Sequence, residues 1–270
     1  MKKLTVVIAI VVMSCLLSGC MQESTNAPPN QSTYENGDTI LLRSEDIERS
    51  TLDAEILYQQ YYYGGNWSNF TAISYEKHGE TYYGAFMPEI VASLDWLYNN
   101  AEENATILCW WDYGSMVEGY AERNVITTFA SENLEETIAS YSHMSEEKKQ
   151  EDIAKHGGWT PEEYLQDIAS VFTCSNISSN ETKAIIETYN VSYIFTRGYD
   201  EQIAFIFFKY FDKDTADYID DYNLTDLAKQ SLIFQMWSDD AVPYGLELVH
   251  HLSSPELWET FHVKIFKIVL

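Results

Sequence analysis

The sequence predicts a single α/β domain, with a mixed α+β arrangement as the variant: a central mixed sheet flanked by helices and closed by C-terminal strands. Three observations predict it. Apolar runs of strand length, Thr106–Cys109 and Val191–Phe195, alternate with segments of helical period through the middle of the chain. Helix start signals stand between them. Two further apolar stretches, 245–251 and 262–269, read as a closing pair of strands. The length of 270 residues suits one sizeable domain, which we place at about 45–270.

Taken in order, residues 44–63 read as helical and turn tyrosine-rich before Gly64-Gly65. Thr71–Tyr75 and Tyr82-Tyr83 alternate as strand or extended loop would. Pro88 opens a helix whose apolar positions Ile90, Val91, Leu94 and Leu97 recur at helical spacing, and Asn99-Asn100 ends it. Residues 134–155 are charged and helical. Thr160-Pro161-Glu162-Glu163 carries a cap, a proline at the first helical position and acids in the first turn, so a helix runs from there to about Phe172. Ser179 to Tyr189 reads as a further helix, 199–211 as helical, 212–221 as acidic, and Thr225 to Trp237 as one amphipathic helix. No internal repeat stands out.

The N-terminus reads as a targeting segment. Lys2 and Lys3 precede an apolar core, Leu4 to Leu17, too short to be a full spanning helix. Leu17-Ser18-Gly19-Cys20 fits a lipobox, in which small residues admit the signal peptidase and the Cys20 thiol accepts lipid. Residues 1–20 are thus expected to be a lipoprotein signal, or an uncleaved anchor, and 21–44 a flexible tether rich in Gln, Ser, Thr, Asn and Pro. Either reading places the rest outside the cytoplasm, tethered to the outer face of the cell membrane. No later segment reaches 18 apolar residues.

Acids outnumber bases by 42 to 16, for a net charge of −26, which argues against a nucleic-acid partner because a polyanion would be repelled. Cys109 and Cys174 are the cysteines beyond the signal region; they could form a disulfide or remain two thiols. No zinc spacing occurs. Eight Asn-x-Ser/Thr sequons are present among 14 asparagines. About two would be expected by chance. The excess suggests a chain exposed to an N-glycosylation system.

The most informative stretch is Trp110-Trp111-Asp112-Tyr113-Gly114. By ordinary residue frequencies such a pentapeptide arises by accident in roughly one chain of this size in 10^5. It offers two indole N–H donors, a carboxylate acceptor and an apolar wall, a set able to grip a small hydroxyl-bearing side chain. It follows an expected strand, and ligand sites in α/β sheets gather at such strand ends.

Ser93-Leu-Asp-Trp-Leu97, Ala105-Thr-Ile-Leu-Cys-Trp-Trp-Asp-Tyr-Gly114 and Arg123-x-Val125 together resemble the opening of the soluble domain of the oligosaccharyltransferase catalytic subunit. Lys183–Ile194, Ser231–Met236 and Val263–Ile268 are similar to its later helix and strand segments, so the resemblance spans about 88–270. That family transfers a lipid-linked glycan to the Asn of Asn-x-Ser/Thr. The resemblance implies that Trp110, Trp111 and Asp112 bind the acceptor's Ser or Thr, with Tyr113 and Gly114 shaping the turn. Asp112 would accept the hydroxyl's hydrogen bond and threonine's methyl would lie against the rings.

The chain also departs from the family. The second family motif is an Asp followed three positions later by Lys; here Asp200 is followed by Ile203. Asp152/Lys155 and Asp226/Lys229 have the spacing but the wrong order, and read as surface helix pairs. The family's metal-binding acids and donor site lie in a multi-spanning domain that this sequence does not contain. The acidic run Asp212, Asp214, Asp217, Asp220, Asp221 lacks the glycine turn and distal Glu of a calcium loop. We therefore expect no cofactor and no catalytic residue of the chain's own. The expected function is acceptor binding, with acceptor polypeptide or a membrane glycosyltransferase as partner. Alternatives are a transferase subunit active only with a membrane partner, or a non-catalytic surface protein that kept the fold. Glu118 and Glu122 read as a solvated pair, and His250, His251 and Glu247 as unsuited to sharing a metal because strand neighbours point oppositely.

Overall fold

A computed structural model describes residues 37–128, 143–155, 158–198, 200, 219–220, 223–237, 242–253 and 262–270. Among the described residues two larger sheets, a two-stranded pair and several helices make a mixed α/β architecture, as the sequence predicts. Cys20, Asn30, Ile203 and the acids Asp212, Asp214, Asp217 and Asp221 lie outside the described residues.

The first sheet is an antiparallel meander. Its strands are β1 (Thr39–Asp46), β2 (Glu55–Tyr63), β3 (Asn66–Lys77) and β4 (Glu80–Ala85), paired in chain order. The helix expected over 44–63 is therefore corrected to the end of β1, a turn and β2, and β1 reaches back into the stretch read as tether. The physical reason is local. Tyr63 pairs with Asn66, which leaves Gly64-Gly65 as a two-residue hairpin with both φ angles positive, 59° and 87°. Such a turn suits the twist of flanking strands and favours glycine. Aromatic residues then pair across it, with Tyr62 opposite Trp67 and their rings 5.2 Å apart.

The second sheet is built around the helices. After a 3-10 turn at Pro88–Ile90 come α1 (Val91–Asn100), β5 (Thr106–Leu108), a second 3-10 turn at Trp111–Tyr113, α2 (Gly114–Ala121) and β6 (Asn124–Val125). Then follow α3 (Glu146–Lys155), α4 (Pro161–Thr173), α5 (Asn180–Thr188) and β7 (Val191–Arg197). The small pair β8 (Ile219–Asp220) and β9 (Asn223–Leu224) precedes α6 (Asp226–Lys229), α7 (Leu232–Trp237), β10 (Leu246–Ser253) and β11 (His262–Ile268). The sheet order is β10-β11-β7-β5-β6. β5 runs parallel to β6 and β7, whereas β11 is antiparallel to both β7 and β10. The closing strands thus extend the sheet as expected.

Caps explain several boundaries. Thr160 and Glu163 form a reciprocal capping box at the start of α4, and the Ser179 hydroxyl accepts from the Thr182 N–H at the start of α5. The segment expected as one helix over Thr225–Trp237 breaks in two. The Leu232 N–H leaves the helical ladder to donate to the Cys174 carbonyl, 2.6 Å away. Cys109 and Cys174 both remain thiols, so the disulfide alternative does not hold. Burial raises the Cys109 thiol's pKa, and Asp200 and Asp112 push it further up.

The two sheets meet at α2. Ile73 and Tyr75 of β3 press on Gly119, where a Cβ would lie 2.8 Å from the Ile73 side chain. Glu118 is not solvated as expected. It is 7% exposed, accepting from the Tyr75 hydroxyl and Lys77 ammonium, each at 2.6 Å. Glu122 accepts from the Thr51 hydroxyl at 2.9 Å. Arg123 is likewise buried, donating to the carbonyls of Tyr98, Ala101, Ala121 and Glu122 and so joining the ends of α1 and α2.

Candidate functional site

Residues 110–114 connect the carboxyl end of β5 to α2. The turn is closed by the Tyr113 N–H donating to the Trp110 carbonyl, 2.9 Å. The neighbouring parallel strand β7 ends at Arg197 on the same edge, which brings Asp200 to the turn. This edge is where parallel sheets place ligand sites.

The two indoles stack with centroids 4.1 Å apart and an interplanar angle of 26°. Each is 1% exposed, so both rings belong to the core. Asp112 is partly exposed. Its Oδ2 accepts from the Trp110 Nε1–H at 2.8 Å, which orients the carboxylate from beneath. The pentapeptide therefore presents its acid outward and its rings inward.

Tyr113 is 2% exposed and packs edge-on against Phe195. Its hydroxyl donates to Asp200 Oδ1 at 2.6 Å, while Asp200 Oδ2 accepts from the Arg197 N–H at 2.8 Å. Asp200 is 1% exposed, and burial pushes its pKa up to about 7. The Tyr113 and Arg197 hydrogen bonds and the Arg197 charge oppose that rise; Asp112 adds to it. Arg197 also faces Glu89 at 3.5 Å and the Met87 sulfur at 2.7 Å.

Gly114 has ordinary helical φ, so conformational freedom is not its role. A Cβ there would overlap the Thr127 carbonyl and lie 2.9 Å from Thr128 Cα. Glycine is needed because another backbone passes over the start of α2.

Chemically, the site offers one outward carboxylate, one buried acid with a raised pKa and one guanidinium. It can accept a hydrogen bond from a hydroxyl. The residues do not fit the divalent-cation site that the resemblance assigns to a membrane domain. Asp200 is bound to two donors, Arg197 adds positive charge, and among the described residues no group of three or more His, Cys, Asp or Glu could hold a metal ion.

The remaining candidates lie elsewhere. Asp226 and Lys229 form an exposed surface pair at 3.5 Å, as expected. His250 contacts the Ser93 hydroxyl at 3.1 Å and stacks on Trp96; burial and the nearby His251 hold its pKa low. His251 and His262 meet across β10 and β11 at 3.4 Å, a pairing that depends on strand register. Arg197, Glu89 and Met87 were missed by sequence reasoning. The signal that could have found Arg197 is its place at the end of a strand beside β5.

No family model matches the chain, and no curated protein matches it. Among solved structures, one similar to it is the crystal structure of the C-terminal globular domain of oligosaccharyltransferase AfAglB-S2 from Archaeoglobus fulgidus. The identity is 17% and the TM-score 0.42, over 68% of this chain and 98% of that one. A second crystal structure of the C-terminal globular domain of oligosaccharyltransferase from the same organism is similar at 14% identity and a TM-score of 0.39. It covers 68% of this chain and 97% of the other.

Proposed function

We propose that this chain is a lipid-anchored, extracytoplasmic acceptor-binding domain for N-linked glycosylation, which holds the Ser or Thr of Asn-x-Ser/Thr polypeptide through Asp112. The observation that carries the reading is the Trp110 Nε1–H bond to Asp112, which fixes a partly exposed carboxylate at the carboxyl end of the parallel strands β5 and β7. A carboxylate held this way has its orientation set before the ligand arrives. A serine or threonine hydroxyl would donate to it; alanine would cover it without adding that donor. That difference is worth about 1–3 kcal/mol. Glycan transfer would belong to a membrane glycosyltransferase partner.

A peptide titration tests this. Trp110 is bonded to the binding carboxylate, so indole fluorescence reports occupancy. Asn-x-Thr peptide should bind more tightly than Asn-x-Ala, and Asp112→Asn should abolish the preference. Equal affinities, or no binding, would rule the proposal out.

The burial of both indoles favours a second reading, in which the pentapeptide is core and the chain is a surface protein that kept the fold without the binding. The same titration separates the two, because a purely structural motif shows no preference between the peptides.

A further inference from the structure

We propose that this chain is itself N-glycosylated, and that at Asn104, Asn176 and Asn180 the sugar is attached before the domain folds. The proposal is independent of what Asp112 binds. Six of the eight sequon asparagines have described side chains: Asn66, Asn69, Asn104, Asn176, Asn180 and Asn190. All six are exposed, so a bulky glycan at any of them projects into solvent without displacing the core. Eight occurrences where about two are expected, with each of the six described asparagines outward, are the pattern of a modified surface.

The hydroxyls divide these sites. A sequon is read at its Ser or Thr as well as at its Asn. Thr106, which completes the Asn104 sequon, is 8% exposed and lies in β5 with partners on both sides, Asn124 and Val191. Thr182, which completes the Asn180 sequon, is 4% exposed and hydrogen-bonded to Ser179. The Ser178 hydroxyl, which completes the Asn176 sequon, is buried; its backbone N–H also donates to Asn176 Oδ1 at 2.9 Å. A transferase cannot hold these three hydroxyls in the folded domain. By contrast Ser68, Thr71 and Ser192 are partly exposed.

The chemistry is a group transfer from a lipid-linked oligosaccharide phosphate. Asn Nδ2 forms a bond to the anomeric carbon, the bond from that carbon to the phosphate oxygen breaks, the lipid phosphate leaves, and the amide gives up one proton.

Glycopeptide mass spectrometry on the full chain isolated from its own cells should find the glycan's mass at these asparagines. Thr106→Val should remove one increment from the intact mass, at Asn104. Bare asparagine at all six sites would overturn the proposal. The order of events is tested with unmodified full chain offered to membranes of the same cells, which supply the lipid-linked donor. Chain diluted from denaturant should take sugar at Asn104, Asn176 and Asn180 at least ~10-fold faster than prefolded chain, since access requires opening of β5 at the first site and of the packed start of α5 at the other two. Equal rates would overturn the folding requirement. Neither outcome depends on peptide binding at Asp112.

Discussion

The Tyr113 hydroxyl donates to Asp200 across 87 residues of chain, at 2.6 Å and within the core. This bond ties the turn after β5 to the end of β7. Asp112 stands on that turn, between the two residues that the bond and its own contact with Trp110 hold.

The pH dependence follows with a definite sign. Asp200 has its pKa raised from 3.8 to about 7, so the folded state binds a proton that the unfolded chain releases near pH 4. The resulting stability is complete below about pH 4 and lost as pH rises to about 7, on the order of 4 kcal/mol in all. Urea unfolding at pH 5 and pH 7.5 should show the higher stability at pH 5. Asp200→Asn should shrink the difference, whatever general repulsion the −26 charge adds in both proteins. An unchanged difference would remove Asp200 as its source.

Gly114→Ala should destabilise the fold by about 3 kcal/mol or more, since the added methyl meets the Thr127 carbonyl, and backbone cannot step aside as a long side chain can. Thermal melting checks it. A change within about 0.5 kcal/mol would mean that the 127–128 strap yields.

Glu118 holds the meander to α2. Glu118→Ala leaves Lys77 and the Tyr75 hydroxyl without their shared acceptor, at a cost of about 2–4 kcal/mol. Hydrogen exchange should quicken in β3 and β4 while β5 and β7 keep their protection. Uniform quickening would show that the two sheets unfold as one unit.

Arg123→Lys keeps the charge but not the fork of donors. It should lose about 2 kcal/mol, because one ammonium cannot serve the carbonyls of Tyr98, Ala101, Ala121 and Glu122 together. Denaturant midpoints measure it; a wild-type midpoint would show that the charge alone suffices.

The parallel core was legible because β5 is buried throughout and β7 everywhere but at Ser192, so that their apolar runs stand out from the chain. Helices α4 and α5 were legible through their caps. β2 was not, because residues on both its faces are large: Ile56, Tyr58 and Tyr62 on one, Leu57 and Tyr61 on the other. No alternation survives to mark a strand. Gly64-Gly65 was the overlooked sign of a hairpin. In the site, the five residues 110–114 were legible as a motif, but not which of their atoms face solvent. Exposure depends on what packs over the turn, as Thr127 does over Gly114. Asp200 was visible as a position; its bond to Tyr113 is a long-range contact that no local pattern announces.

Helix α2 starts at the pentapeptide and carries Glu118 one turn further on. Eight residues of helix span about 12 Å and bend little, so α2 acts as a short lever between the two sheets. A ligand that shifts the turn at Asp112 must either strain that lever or swing the tyrosine-bearing strands with it. A label placed on the outer edge of the meander would then sense the far end of the molecule.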